Sequence, residues 1–239
     1  MAIEQAVGER IMGISSMATR HVLVELADAY RRRSGQCVAI ESVGGVDAAR
    51  RVQGGEVFDF VVLAADTIDQ LARSARIDPT SRADVARSGV AIAVAVGARR
   101  PDVDDELAIR CAVLAARTVG YSTGPSGAHL AGLFERWGIA ETIASRIVQA
   151  PLGVPVGTLV ARGDVELGFQ QLSELMHMPG IDVIGMLPAA IQRVTVFSAG
   201  VCTTSTRPEG TRALLSFMAS PEADDAKRRH GMEPARAGC

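Results

Sequence analysis

From Arg10 onward, short apolar runs alternate with stretches of helical periodicity, and this alternation restricts the chain more than any other feature. A short apolar run bounded by Gly, Pro or Ser reads as a strand, and apolar residues three or four positions apart read as one buried face of a helix. Strand and helix in turn form βαβ units around a mainly parallel sheet, because parallel strands need a crossover long enough to hold a helix. Strands are expected at Arg10–Ile14, Cys37–Ser42, Phe58–Leu63, Gly89–Val96, Val119–Tyr121, Val165–Phe169, Ile181–Ile184 and Val194–Ala199. After the first strand, Ser15-Ser16 supplies an N-cap for a helix whose stripe is Thr19, Leu23, Leu26 and Tyr30. Further helices are expected over Val46–Gln53, after Ala64-Ala65-Asp66 with Ile68 and Leu71 inward, over Asp104–Ala116, from Ser126, and up to Ala161. Pro208 and Pro221 fit the first turns of two last helices, where a missing N–H costs nothing.

The 239 residues are enough for two cores of about 100 residues each, yet no Gly/Ser/Pro-rich linker divides them. Two lobes would then be joined inside strands, and the apolar runs Gly89–Val96 and Val194–Ala199 are the candidate crossings. One lobe is expected to comprise Met1–Ser88 with Val194–Cys239, and the other Gly89–Arg193.

Composition narrows the functional classes. The net charge is −2 and the basic residues are scattered, apart from Arg31-Arg32-Arg33 at a predicted helix end, where cations suit the dipole. No nucleic-acid partner is expected. The four cysteines, Cys37, Cys111, Cys202 and Cys239, form no CxxC pair, so no metal site and no cofactor are expected, and Cys37, Cys111 and Cys202 read as buried thiols. No apolar stretch is long enough to span a membrane. Met1 to Arg10 carries Glu4 and Glu9 in place of a basic segment followed by an apolar one, so the chain as written is expected to be cytoplasmic, or periplasmic if a leader has been removed.

Ligand crevices of open parallel sheets lie at the carboxyl ends of strands. Four loops in that position are built from small, hydrogen-bonding residues: 13–16, with Ser15 and Ser16; 42–45, with Gly44 and Gly45; 122–127, with Ser126 and Gly127; and 153–157, with Pro155 and Val156. Each precedes a helix, whose first N–H groups need acceptors and carry partial positive charge. Together they predict an anion site that does not depend on Lys or Arg. No P-loop, GxGxxG, GxSxG or HExxH motif is present, so nucleotide-binding, hydrolase and metalloenzyme readings have no starting point.

In their order and spacing these segments resemble the molybdate-binding protein of bacterial ABC importers and the wider family of periplasmic solute-binding proteins. Ser16-Met17 resembles that family's Ala-Ser-Leu helix start, and Ala49-Arg50 with Gly55 its Leu-Ala-Arg…Gly helix. Phe58–Asp66 resembles its Ala-Asp-Leu-Phe-Ile-Ser-Ala-Asp strand, Pro125-Ser126-Gly127 its Pro-Ala-Gly, and Leu167-Gly168 the Leu-Gly before its binding tyrosine. The resemblance implies an α/β, two-lobed, type II periplasmic-binding-protein-like clamshell with two crossover strands, holding its ligand in the interlobe cleft. It also implies a pocket that uses Ser16, the loop at Gly44, the backbone at Ser126, the turn at Pro155 and Val156, and the position of Gln171.

Two positions depart from the pattern: Gly44 stands in place of a binding serine and Gln171 in place of the tyrosine. Each change removes a hydroxyl donor, and Gly44-Gly45 opens room, while Gln170, Gln171, Ser173 and Glu174 suit a larger ligand with carboxylates. The expected function is therefore binding of a small organic anion, a di- or tricarboxylate, as a solute-binding-type protein. Membrane components of an ABC importer would be its partners if it is exported. One alternative, the branch that resembles aconitate isomerase, would move a double bond by proton transfer, with His129 as the acid–base group and His21 next. Another is a receptor for molybdate or a similar oxyanion. Arg87, placed just before the crossover strand, is a candidate carboxylate clamp.

Overall fold

The computed structural model describes residues 10–235, so the readings that concern Met1–Glu9 and the final residues, Cys239 included, lie outside it. The chain divides into two units, Met1–Arg87 with Val196–Cys239, and Ser88–Thr195. Their boundaries fall inside two strands, β4 (Ala83–Ala95) and β9 (Val194–Val201), so the polypeptide passes from one unit to the other twice in extended backbone.

In the first unit, β1 (Ile11–Ser16) lies between β2 (Val38–Val43) and β3 (Phe60–Ala64), parallel to both. β9 pairs antiparallel with the other side of β3. All five residues of β3 are buried, as expected of a strand with neighbours on both edges and helices on its faces. Three helices follow the parallel strands: α1 (Arg20–Ser34), α2 (Gly45–Gln53) and α3 (Ala65–Arg73). The stripe predicted for α1 is inward, with Thr19, Leu23, Leu26 and Tyr30 all buried, and Arg31, Arg32 and Arg33 occupy its last turn before Gly35 closes it at φ +74°. Phe60, Leu23 and Leu26 belong to one apolar cluster, and burial of each such side chain contributes about 1.5–3 kcal/mol.

In the second unit, β5 (Val119–Tyr121) runs parallel to β6 (Ile147–Gln149) on one side and to β7 (Leu167–Gln171) on the other. β4 pairs antiparallel with β7 and with β8 (Ile181–Met186). The helices are α4 (Glu106–Ala115), α5 (Pro125–Arg136), α6 (Ala140–Ile143), α7 (Val156–Arg162) and α8 (Leu172–Leu175). The chain ends in the first unit with α9 (Pro208–Ala219), α10 (Asp224–Arg229) and the short β10 (Glu233–Pro234). Pro208 opens α9, and Pro221 opens a 3-10 turn, so both prolines stand in first turns.

Three expectations change. The sheet is mixed rather than mainly parallel, because β4 and β9 run against their neighbours β7 and β3. β4 starts at Ala83, so Arg87 stands within a strand, opposite Glu233, and not ahead of it. Cys37 and Cys111 are exposed, and only Cys202 of the described cysteines is buried. Cys37 precedes the edge strand β2, and Cys111 lies on the outer side of α4, where the strand and helix patterns offered no partner to cover them. No helix among the described residues is long and apolar enough to cross a membrane.

Candidate functional site

The predicted residues fall into two groups, one on each unit. In the first unit, β1 ends at Ser15 and Ser16, in register with Ser42 and Val43 of β2. Ser15 is fully buried and its Oγ lies 2.9 Å from the Ser42 Oγ, so it ties the two strand ends together. Ser16 is half-buried; its Oγ accepts from the Ala18 N–H at 3.2 Å and caps the 3-10 turn that leads into α1. A Cβ added at Gly45 would lie 3.9 Å from that Oγ, so the start of α2 stands beside the Ser16 cap. The N-cap of α2 is Gly44, and no side chain caps the helix there. Gly44 thus offers the first N–H groups no side-chain acceptor of its own, a condition in which a helix start can attract an anion.

In the second unit, three connections leave the same edge of the parallel strands. β5 leads through Ser122–Gly124 into α5, β6 leads through Ala150–Pro155 into α7, and β7 leads directly into α8. Ser126 is buried in the first turn of α5, with its Oγ 3.2 Å from the Ser122 Oγ, and Gly124 at the N-cap leaves the helix start without a side-chain cap. Gly127 allows the loop to fold back: a Cβ there would sit 1.7 Å from the Ser122 carbonyl oxygen. Pro155 is the N-cap of α7. The Val156 N–H behind it is already engaged, donating to Gln170 Oε1 at 2.8 Å.

Gln170 is buried at the end of β7 and its Nε2 donates to Glu174 Oε1 at 2.7 Å. Glu174 is half-buried, and burial pushes its carboxyl up to about 7, against the Gln170 hydrogen bond, which acts to lower it. Its Oε2 makes no hydrogen bond to a described residue, and no cation among them pairs with it. Next to it, the Ser173 hydroxyl is buried without a partner among the described residues. Gln171 is also buried. In the amide orientation that satisfies both of its ends, it donates to the Ser88 and Gly89 carbonyls and accepts from Thr195 Oγ1 at 2.8 Å. That side chain therefore ties β7 to Ser88 and Gly89 of β4 and to Thr195 of β9.

The predicted acid–base histidines are placed less favourably. His129 is half-buried on α5, and its Nε2–H donates to the Ile191 carbonyl at 2.7 Å, so that nitrogen holds a loop. His21 is exposed on α1 and stacked on His230 at 6.2 Å, beside Glu25, which accepts from His230 at 2.8 Å. Arg87 is half-buried, and its guanidinium forms no hydrogen bond or ion pair with a described residue. A pocket of about 580 Å³ elsewhere on the second unit, lined by Arg99, Asp102, Asp105, Cys111 and Glu166 among others, contains none of the predicted donors. Among the described residues no group of three or more His, Cys, Asp or Glu is placed to hold a metal ion.

Gln170 and Glu174 both stand among the residues that the sequence marks as suiting a larger ligand with carboxylates. Their spacing of four across a strand-to-helix junction was the available signal, and the cap on Val156 could not be read from it.

Comparisons with known proteins bear on the family and the fold. The family model of bacterial extracellular solute-binding proteins matches residues 11–233. An aconitate isomerase from a Pseudomonas species is 35% identical over 230 residues, which is 94% of this chain and 87% of that protein. The periplasmic molybdate-binding protein of Azotobacter vinelandii superposes with a TM-score of 0.79 at 18% identity, over 95% of this chain and 100% of that one. The sulfate-binding protein SubI of Mycobacterium tuberculosis gives 0.75 at 13% identity, over 95% and 87%. At such identities the two structures establish the fold, that of the type II periplasmic binding proteins, as the resemblance implied. The chain belongs to the bacterial extracellular solute-binding protein family.

Proposed function

We propose that this protein binds an unsaturated di- or tricarboxylate and shifts its double bond by proton transfer, as an isomerase of the aconitate type. The observation that carries the reading is the Val156–Gln170–Glu174 chain at the carboxyl edge of β7. It supports the reading with a carboxyl pushed up to about 7, one oxygen of which no described residue engages, at the kind of strand end where open α/β sheets take ligands. The 35% identical aconitate isomerase supports it over nearly the whole chain. The uncapped starts of α2 and α5 and the Ser16 hydroxyl supply donors for carboxylates on each unit.

A tetrahedral oxyanion fits less well. In the turn at Pro155 and Val156, which the resemblance assigns to the pocket, the Val156 N–H is taken by Gln170, and Gly44 offers no hydroxyl. A negative charge beside Glu174 also favours the neutral acid, which an isomerase can use and a high-affinity dianion receptor has no need of. The family's transport role favours a second reading, capture of the same acid for an importer without turnover. Incubation with cis- or trans-aconitate separates the two: conversion supports the isomerase, and binding without conversion supports the receptor.

A further inference from the structure

We infer that Glu174 is the group that moves the proton, and that Gln170 is its positioning residue. This rests on the isomerase reading and goes beyond it, since no histidine is then needed. The geometry is local to the second unit. β7 pairs with β5 through Gly120↔Gly168 and Tyr121↔Phe169, so Gln170 and Gln171 stand alongside the point where the chain leaves β5 for Ser122–Ser126. β5 pairs with β6 through Tyr121↔Gln149, and the chain leaving β6 returns at Val156, whose N–H is bonded to Gln170. Glu174 therefore lies on the edge that the Ser126 and Val156 loops share.

Gln170 anchors Glu174 Oε1 at 2.7 Å, which leaves Oε2 as the reacting atom. Among the described residues no Arg, Lys or His forms an ion pair with Glu174, which accepts its hydrogen bond from the neutral Gln170 amide. The carboxyl is held near neutral, where a single group serves in turn as base and acid. His129 lacks this freedom at Nε2, and His21 belongs to a surface cluster with His230 and Glu25.

The step balances without any co-reactant. Ionised Glu174 takes a proton from the methylene carbon next to the double bond. The C–H bond breaks, an O–H bond forms at Oε2, and the electron pair enters the three-carbon allylic system, where the adjoining carboxylate delocalises it. The neutral carboxyl then returns its proton to the far carbon of that system. A new C–H bond forms there, the double bond occupies the other pair of carbons, and Glu174 is ionised again. Nothing is oxidised or reduced.

The test is proton NMR of cis- and trans-aconitate with the intact protein in D2O, beside calorimetry of the same acids. Wild type should interconvert the acids and incorporate deuterium. Glu174→Gln should convert about 100-fold more slowly or worse, with affinity within about 3-fold. Glu174→Ala should regain part of its rate when formate is added, which a purely structural role would not produce and which decides the matter if Glu174→Gln folds poorly. His129→Gln should convert within about 3-fold of wild type. A Glu174→Gln rate close to wild type, or an Ala variant deaf to formate, overturns the assignment and leaves the isomerase reading standing. Wild type that binds the acids but neither converts nor exchanges them overturns both.

Discussion

Glu174→Gln should make the folded protein more stable at alkaline pH. The carboxyl has an ordinary value of 4.5 and is pushed up to about 7 by burial, so the folded state prefers the proton and the unfolded state gives it up sooner. Between those two values the unfolded chain is ionised while the folded one is not. Stability is thus fully present below 4.5, falls as pH rises towards 7, and levels off above it. At about 1.4 kcal/mol per pH unit the loss reaches about 3 kcal/mol by pH 8 and is about 1 kcal/mol at pH 5. Gln has the same shape, keeps an oxygen for the Gln170 Nε2–H, and carries no charge to bury. The variant should therefore exceed wild type by about 3 kcal/mol at pH 8 and by about 1 kcal/mol at pH 5. Urea unfolding at the two pH values, followed by circular dichroism with equal m-values, measures the difference. A variant less stable than wild type at pH 8, or an advantage that does not change with pH, would refute the burial argument.

Other consequences follow from the same contacts. Gln170→Ala leaves the buried Val156 N–H without its acceptor and should cost about 1–3 kcal/mol in chemical denaturation. Because the Gln170 hydrogen bond lowers the Glu174 pKa, the same variant should move the basic-form limb of the pH–rate profile to higher pH. Gly127→Ala forces a Cβ to 1.7 Å from the Ser122 carbonyl, so the loop must shift; a loss of about 1–3 kcal/mol is expected, with weaker ligand binding by calorimetry. Ser16→Ala removes the cap on Ala18, which should lower thermal stability by about 1 kcal/mol and weaken carboxylate binding without changing the pH profile.

Most of the fold was legible because apolar periodicity reports directly on which face is buried. Thr19, Leu23, Leu26 and Tyr30 of α1, and Ile68 and Leu71 of α3, lie inward as the pattern required. Strand limits were less legible where burial depends on hydrogen bonds. β7 runs on to Gln170 and Gln171, two polar residues buried because Val156, Glu174, Thr195 and the Ser88 carbonyl satisfy their amides. Strand direction is also absent from periodicity, so the antiparallel entries of β4 and β9 could not be foreseen from the apolar runs that mark them. At the site, Ser16 as a helix cap was readable from residue type alone. The Glu174 environment was not, because it arises from tertiary burial, and the attraction of His129 and His21 came from chemistry without knowledge of their partners.

The most direct test of the proposed function is proton NMR of the wild-type protein with cis-aconitate, read beside calorimetry with di- and tricarboxylates, molybdate and sulfate. The account predicts appearance of the trans isomer at a rate proportional to enzyme concentration, carboxylate binding, and little response to molybdate. Tight molybdate binding with no response to any polycarboxylate, and no conversion, would contradict it.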